Sequence, residues 1–241
     1  MRIVFVLFTV LAMSANGQNL KIEYQVRFND MYDRGRSDRL HNGQLLISEN
    51  RSRYFTTETE KYKPRNENDI LMMPDTANQV FVNLSTGMLL SQEADMKGKT
   101  FFVSDSLYPM KWEISPEERM IDSLNCIKAI CSFRGRNYIA WFTPDIPIPF
   151  GPWKMGGLPG LIIDLQDSEE NMLVKLKSIV RQDINVSIPA DIRFTKDQHV
   201  AEIKKLIQRL KDNARASSTG DCVTCQQQSV IEFFAWEKIP Q

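Results

Sequence analysis

The sequence predicts a mainly β protein: a single curved antiparallel sheet or half-barrel carrying one amphipathic helix. Three observations lead there. Short apolar runs of strand length recur along most of the chain, separated by turn residues. Several alternate apolar and polar residues with a period of two, as a half-buried strand requires. Only residues 195–214 place Val200, Ile203, Leu206, Ile207 and Leu210 at helical spacing, and Thr195 with Gln198 resembles a capping box.

Taken in order, KIEYQVRF (21–28) sets Ile22, Tyr24, Val26 and Phe28 on one face and charged or amide side chains on the other. The charged stretch 30–39 alternates in sign and reads as a solvated loop or hairpin limb. Asn42-Gly43 predicts a tight hairpin turn, because both residues tolerate positive φ. RSRYFTT (51–57) is the next strand, and the polar, proline-containing 61–69 a loop. QVFVNL and MLLSQ form a hairpin about Ser85-Thr86-Gly87. KTFFVSDS, KWEIS, CIKAICSFRG, NYIAWFT, LIIDLQD and MLVKLKSIV continue the series, and SVIEFFAWEKI adds a last strand after the helix. A sheet wrapped around the helix is the arrangement of periplasmic lipoprotein carriers, an analogy of fold alone.

Residues 1–17 stand apart. Arg2 precedes an apolar run from Ile3 to Met13 and a small-residue end at Ala15-Asn16-Gly17, the pattern of a signal peptide cleaved before Gln18. The run is too short to span a bilayer, so residues 18–241 are expected as one exported β-rich domain without a transmembrane span. Of the 241 residues, 42% are hydrophobic and 25% charged, and the formal net charge is zero. That balance argues against nucleic-acid binding, which draws on a basic excess.

The most unusual segment is TPDIPIPFGPWKMGGLPG (143–160), in which five prolines and four glycines occupy half the positions. The Ile-Pro alternation lacks the amide hydrogens of a central strand. Leu158-Pro159-Gly160-Leu161 fits a type II turn with Gly160 at positive φ. Around it stand Trp141, Phe142, Ile146, Ile148, Phe150, Trp153, Met155 and Leu158. They are either a core seam or the lining of a pre-formed site for an apolar or peptide-like ligand or a protein partner.

With NCIKA, FRGRNYIAWFT and GPWK upstream, the unbroken Gly157-Leu158-Pro159-Gly160-Leu161-Ile162 resembles the GLPGLI family, exported proteins found mainly in Bacteroidetes. The likeness covers at least residues 125–165. It implies export, a β-rich fold and a bacterial envelope setting, and it implies no particular reaction or cofactor.

The residues that carry chemistry are few. His41 and His199 are the only histidines, and neither lies in a catalytic motif. Asp145 and Asp164 flank the motif and are candidate paired carboxylates, or else a strand end and an outward-facing strand residue. Arg134 and Arg136 are candidates for an anion clamp, or a sheet-edge pair about Gly135. No catalytic residue, cofactor or metal is assigned, which favours a binding protein over an enzyme. Cys126, Cys131, Cys222 and Cys225 are disulfide candidates in an exported chain. Cys222-x-x-Cys225 also supports an alternative reading as a metal-binding or thiol-redox protein, with zinc needing Cys126 and Cys131 as further ligands.

Overall fold

The computed structural model describes residues 19–28, 39–58, 79–94, 99–107, 110–170 and 172–217. The signal-peptide pattern, the charged stretch before Arg39, the 61–69 loop, Cys222, Cys225 and the C-terminal strand pattern lie outside them.

Strand β1 (Leu20–Phe28) is central. Ile22, Tyr24 and Val26 are fully buried, as their period-two spacing predicts. It pairs on one side with β2 (Arg39–Ser48), which begins a meander through β3 (Arg51–Glu58), β4 (Val80–Asn83), β5 (Met88–Ala94) and β6 (Thr100–Ser106). On its other side it pairs with β11 (Met172–Arg181), the end of a second meander. That meander runs through β7 (Glu113–Ile121), β8 (Leu124–Phe133), β9 (Arg136–Thr143) and β10 (Leu161–Asp167). A four-residue strand, β12 (Ile192–Thr195), joins β6 in parallel and gives one sheet of order β12-β6-β5-β4-β3-β2-β1-β11-β10-β9-β8-β7. The expected fold class is what the chain adopts.

Covalent geometry explains the curvature. In that order β6 and β7 are ten spacings apart, which in a flat sheet at about 4.8 Å each is about 48 Å. The chain joins Ser106 to Glu113 in seven residue steps, which reach at most about 25 Å. The sheet must curl to bring these strands together, and side chains tie the approach. Arg134, in the β8–β9 turn, pairs with Asp105 of β6, both largely buried. Trp112 donates its indole N–H to the carbonyl of Gly156 at 2.9 Å. Of the two edges, β7 is guarded by Pro116, by Glu113, Glu117 and Glu118, and by a bulge between Ile114 and Glu118. The other, β12, is only four residues long.

Asn42 and Gly43 do not turn the chain. They lie inside β2, opposite Gln25 and Tyr24. The glycine is needed for space, since a Cβ there would stand 2.8 Å from Tyr54 Oη and 2.9 Å from Val26 Cγ2. The hairpin turn falls instead at Glu49, whose φ is 54°.

The helix α1 spans Lys196–Ser217. Its capping box is formed: Thr195 N–H donates to Gln198 Oε1 at 3.0 Å, and Gln198 N–H to Thr195 Oγ1 at 3.4 Å. Its main contacts are with β12 and β6, so the sheet carries the helix at one end rather than enclosing it. What fills the curl is the proline- and glycine-rich loop between β9 and β10. Among the described residues no helix is long and apolar enough to cross a membrane.

Candidate functional site

The loop 144–160 is built by backbone bonds that work around its prolines. Ile148 N–H donates to Ile146 O at 2.8 Å and Phe150 N–H to Ile148 O at 2.8 Å, so each available amide closes a three-residue turn. Ile146 O also accepts from Leu161 N–H at 2.9 Å, and Pro149 O from Gly157 N–H at 3.0 Å. Phe150 and Gly156 form an antiparallel bridge. The expected type II turn is replaced by a different use of the glycines. Positive φ belongs to Gly157, at 84°. Gly160 serves close approach: a Cβ there would lie 2.1 Å from the Thr143 carbonyl oxygen.

Phe150, Met155 and Leu158 are at most 3% exposed and join one hydrophobic cluster with Ile22, Leu45, Val82 and Leu89. Trp141, Ile146, Ile148 and Trp153 are partly buried against it. The apolar residues of the motif thus divide into a sealed foundation and a half-exposed upper layer.

The loop also repairs a gap in the sheet. Strands β10 and β11 pair only at Leu165 with Val174 and Gln166 with Leu173. Beyond that point Ile162 N–H donates to Phe150 O at 3.1 Å, Tyr24 Oη donates to Ile162 O at 2.8 Å, and Leu176 N–H donates to Asp164 Oδ1 at 3.3 Å. Three of the backbone groups beyond the splay thereby have partners. Burial raises the Tyr24 hydroxyl pKa well above its ordinary value, so it stays a donor.

Asp164 is consequently a structural carboxylate. Its other oxygen meets Arg119 at 2.7 Å, and that guanidinium lies 4.0 Å from the Trp141 ring centroid. Burial raises its pKa, opposed by the Leu176 amide and Arg119. Asp145 is engaged elsewhere, accepting the Asn125 N–H at 3.1 Å. Each of the two candidate carboxylates thus has its own donor.

Arg134 and Arg136 stand at the β8–β9 turn next to Phe133, whose ring meets that of Trp153. Arg134 and Gly135, with φ of 49° and 77°, form the tight turn between β8 and β9. Both guanidiniums are matched by carboxylates of the same chain: Arg134 by Asp105, and Arg136 by Asp167 at 3.3 Å and Glu169 at 3.4 Å. Trp153 has φ of 56°, an unusual setting for a bulky side chain. Such a backbone costs about 1–3 kcal/mol and persists only where its surroundings hold it. Phe133 meets its ring edge-on at 6.3 Å, Tyr138 lies at 6.1 Å, and Lys154 Nζ stands 5.5 Å from its centroid. Lys154 is itself only 6% exposed. Nothing in the sequence marks Trp153 as left-handed or Lys154 as buried.

The histidines are packing residues. His199 lies 5.6 Å from Phe101 and 6.2 Å from Phe194, ring to ring. His41 sits in β2 opposite Val26.

Cys126 and Cys131 are buried and unbridged. The β8–β9 register is unbroken from Ile127 to Phe133. Five residues apart on a strand, the two thiols stand about 16 Å apart on opposite faces. They cannot bond to each other, nor jointly complete a tetrahedral metal site. Burial pushes both thiols from an ordinary 9.0 up to about 11. In the folded chain Cys126 and Cys131 should resist a thiol reagent at pH 8, and unfolding should release both, each followed by peptide mapping of the label. A Cys126–Cys131 bridge in the peptide map would overturn this. The unfolded chain gives up these protons first, so their contribution to stability falls as pH rises from about 9 to about 11 and is constant beyond.

These features define the class of the molecule: an open, curled antiparallel sheet plugged by its own loop. A family described as "Protein of unknown function (Porph_ging)" matches residues 133–164, which run from the β8–β9 turn through the plug to Asp164. The chain is similar in fold to PNGF-II, solved in space groups P21 and C2, with TM-scores of 0.52 and 0.51 at 16% identity in both cases. The matches cover 78% and 74% of this chain but 33% and 30% of those, so it spans about a third of their length. At that identity the likeness is one of fold alone. No curated protein matches the chain.

Proposed function

We propose that the chain is an exported GLPGLI-family protein of the bacterial envelope that works by binding rather than by catalysis. Its target is an apolar or peptide-like ligand or a protein partner, met by the half-exposed layer of the motif loop: Trp141, Ile146, Ile148 and Trp153. Phe150, Met155 and Leu158 serve beneath it as the footing that keeps this layer in place. The signal-peptide pattern of residues 1–17 supports export.

One observation carries the reading. Trp153 is held in a costly left-handed backbone, partly buried, in a loop buttressed by Phe133 and Tyr138. A rigid aromatic anchor loses little freedom on binding, and strain retained at a recognition loop is a recurrent mark of use. A second observation turns the reading outward. The space inside the curl is taken by the chain's own Phe150, Met155 and Leu158. A lipid carried within the sheet would have to displace them.

Panning the full chain against a phage-displayed random dodecapeptide library tests this. Wild type should enrich sequences with aromatic or aliphatic anchors. Trp153→Gly should lose that enrichment while keeping its circular dichroism spectrum, because glycine accepts the backbone without strain. Absence of enrichment by wild type, or equal enrichment by the variant, would remove the proposal.

A further inference from the structure

Strands β10 and β11 leave a third stretch of edge inside the sheet. They pair only at Leu165 with Val174 and Gln166 with Leu173. Continued from there, the register would set Leu161, where β10 begins, level with Ser178. β11 runs on to Arg181, so Ile179, Val180 and Arg181 overhang the start of β10. The chain before Leu161 does not cover them. Gly160 is held against β9, where a Cβ would lie 2.1 Å from the Thr143 carbonyl oxygen. The motif loop bonds to β10 instead: Ile146 O takes the Leu161 N–H at 2.9 Å, and Phe150 O the Ile162 N–H at 3.1 Å.

Two hydrogen bonds fix which way β11 aims its main chain here. Gln182 N–H turns toward β1, donating to Asn19 O at 3.3 Å. Leu176 N–H turns away from β1, donating to Asp164 Oδ1 at 3.3 Å. Amides alternate in direction along a paired strand, and the bulge opposite Glu23 and Tyr24 reconciles these two. Ile179 and Arg181 therefore direct their N–H and C=O groups away from β1, into the overhang. Neither has a backbone partner on that side among the described residues. Ile179 is partly buried and Val180 is 49% exposed, so this edge is apolar where β7 is acidic.

We infer that the overhang of β11 is a docking site for an extended segment of a partner protein, which adds to it as a short strand. The edge selects its occupant by chemistry: alternate N–H and C=O groups at strand spacing match another extended main chain. A folded second copy has less to offer, since its β7 edge carries Pro116 and glutamates and its β12 is four residues long. The partner segment sets an apolar side chain beside Ile179 or Val180 and a carboxylate toward the exposed Arg181. This site and the motif loop use different residues, so either can fail alone.

Panning a phage-displayed random dodecapeptide library against the full chain supplies the probes, resynthesised with fluorescein and titrated by fluorescence anisotropy. Among them should be peptides that wild type and Trp153→Gly bind alike, and that Ile179→Pro binds at least about tenfold more weakly. That substitution removes the outward N–H and leaves the β1 ladder its bonds, as proline does at a strand edge. N-methylation of such a peptide at one alternate set of residues should abolish binding, and at the other set should not, because only every second residue of an added strand bonds to β11. Equal binding of every peptide by wild type and a folded Ile179→Pro chain, or loss on N-methylation without alternation, would overturn the inference. So would a library that yields no binder. A wild-type dimer dissociated by Ile179→Pro would overturn it in favour of pairing between two copies of this edge. Should Ile179→Pro fail to fold, hydrogen exchange on wild type decides. Saturating peptide should slow the Ile179 and Arg181 amides at least about tenfold, and unchanged exchange there would overturn the proposal.

Discussion

Replacing Gly160 with alanine should abolish the folded state or leave it barely populated. The added methyl group would stand 2.1 Å from the Thr143 carbonyl oxygen and 2.7 Å from its carbon, with Phe142 Cδ2 at 3.1 Å. The obstruction is backbone, fixed in the β9–β10 ladder by the pairing of Leu161 with Thr143, so no side-chain rotation relieves it. Relief would require β10 to move away from β9, which would unseat Leu161 and Ile162, both fully buried. Overpacking that neighbours can accommodate costs about 1–3 kcal/mol; here the obstruction is backbone that cannot give, so the loss exceeds that range and takes most of the about 5–15 kcal/mol stability of an ordinary domain. Gly157→Ala provides the contrast. Its φ of 84° disfavours a side chain, but a Cβ there meets nothing within 4 Å, so the loss is about 1–2 kcal/mol. Urea denaturation midpoints and soluble yields of the two variants check the order. A Gly160→Ala chain more stable than Gly157→Ala would contradict the packing of the loop on β9.

The second large effect lies at the closure of the curl. Arg134→Ala removes the partner of Asp105, whose side chain is 5% exposed. Breaking a buried ion pair from one side costs about 3–5 kcal/mol, because the remaining charge is left in a poorly solvated place. The guanidinium also covers the Phe133 ring at 4.8 Å, and Phe133 in turn supports Trp153. The loss should therefore appear both in denaturation midpoint and in tryptophan emission. Asp105→Asn in the Arg134→Ala background should recover part of the stability by removing the stranded charge. A double-mutant cycle measures the coupling, and additive single losses would show that the pair does not tie β6 to the β8–β9 turn.

The parts of this molecule legible in its sequence are those governed by local periodicity. The alternation in 21–28 placed Ile22, Tyr24 and Val26 inside, and Thr195 with Gln198 marked the start of the helix within a residue. The misreadings share one cause. Asn42-Gly43 and Leu158-Pro159-Gly160 read as turns because glycine relaxes the backbone, whereas Gly43 and Gly160 are there because Tyr54 and Thr143 come too close for any side chain. Such demands arise from residues distant in sequence and leave no local trace. For the same reason the pairing of Arg134 with Asp105, 29 residues away, was out of reach.

The pairing of β1 with β11 sets the order in which the molecule can assemble. Leu20 lies opposite Arg181 and Phe28 opposite Met172, so the first strand waits for one made some 150 residues later. Each meander can zip up from neighbouring hairpins, but joining them requires closure of a very long loop, the slow kind of step. Until then β1 and β11 each present a bare apolar margin, open to pairing with other chains. A newly made molecule would therefore meet its greatest hazard late, with both halves formed and still apart.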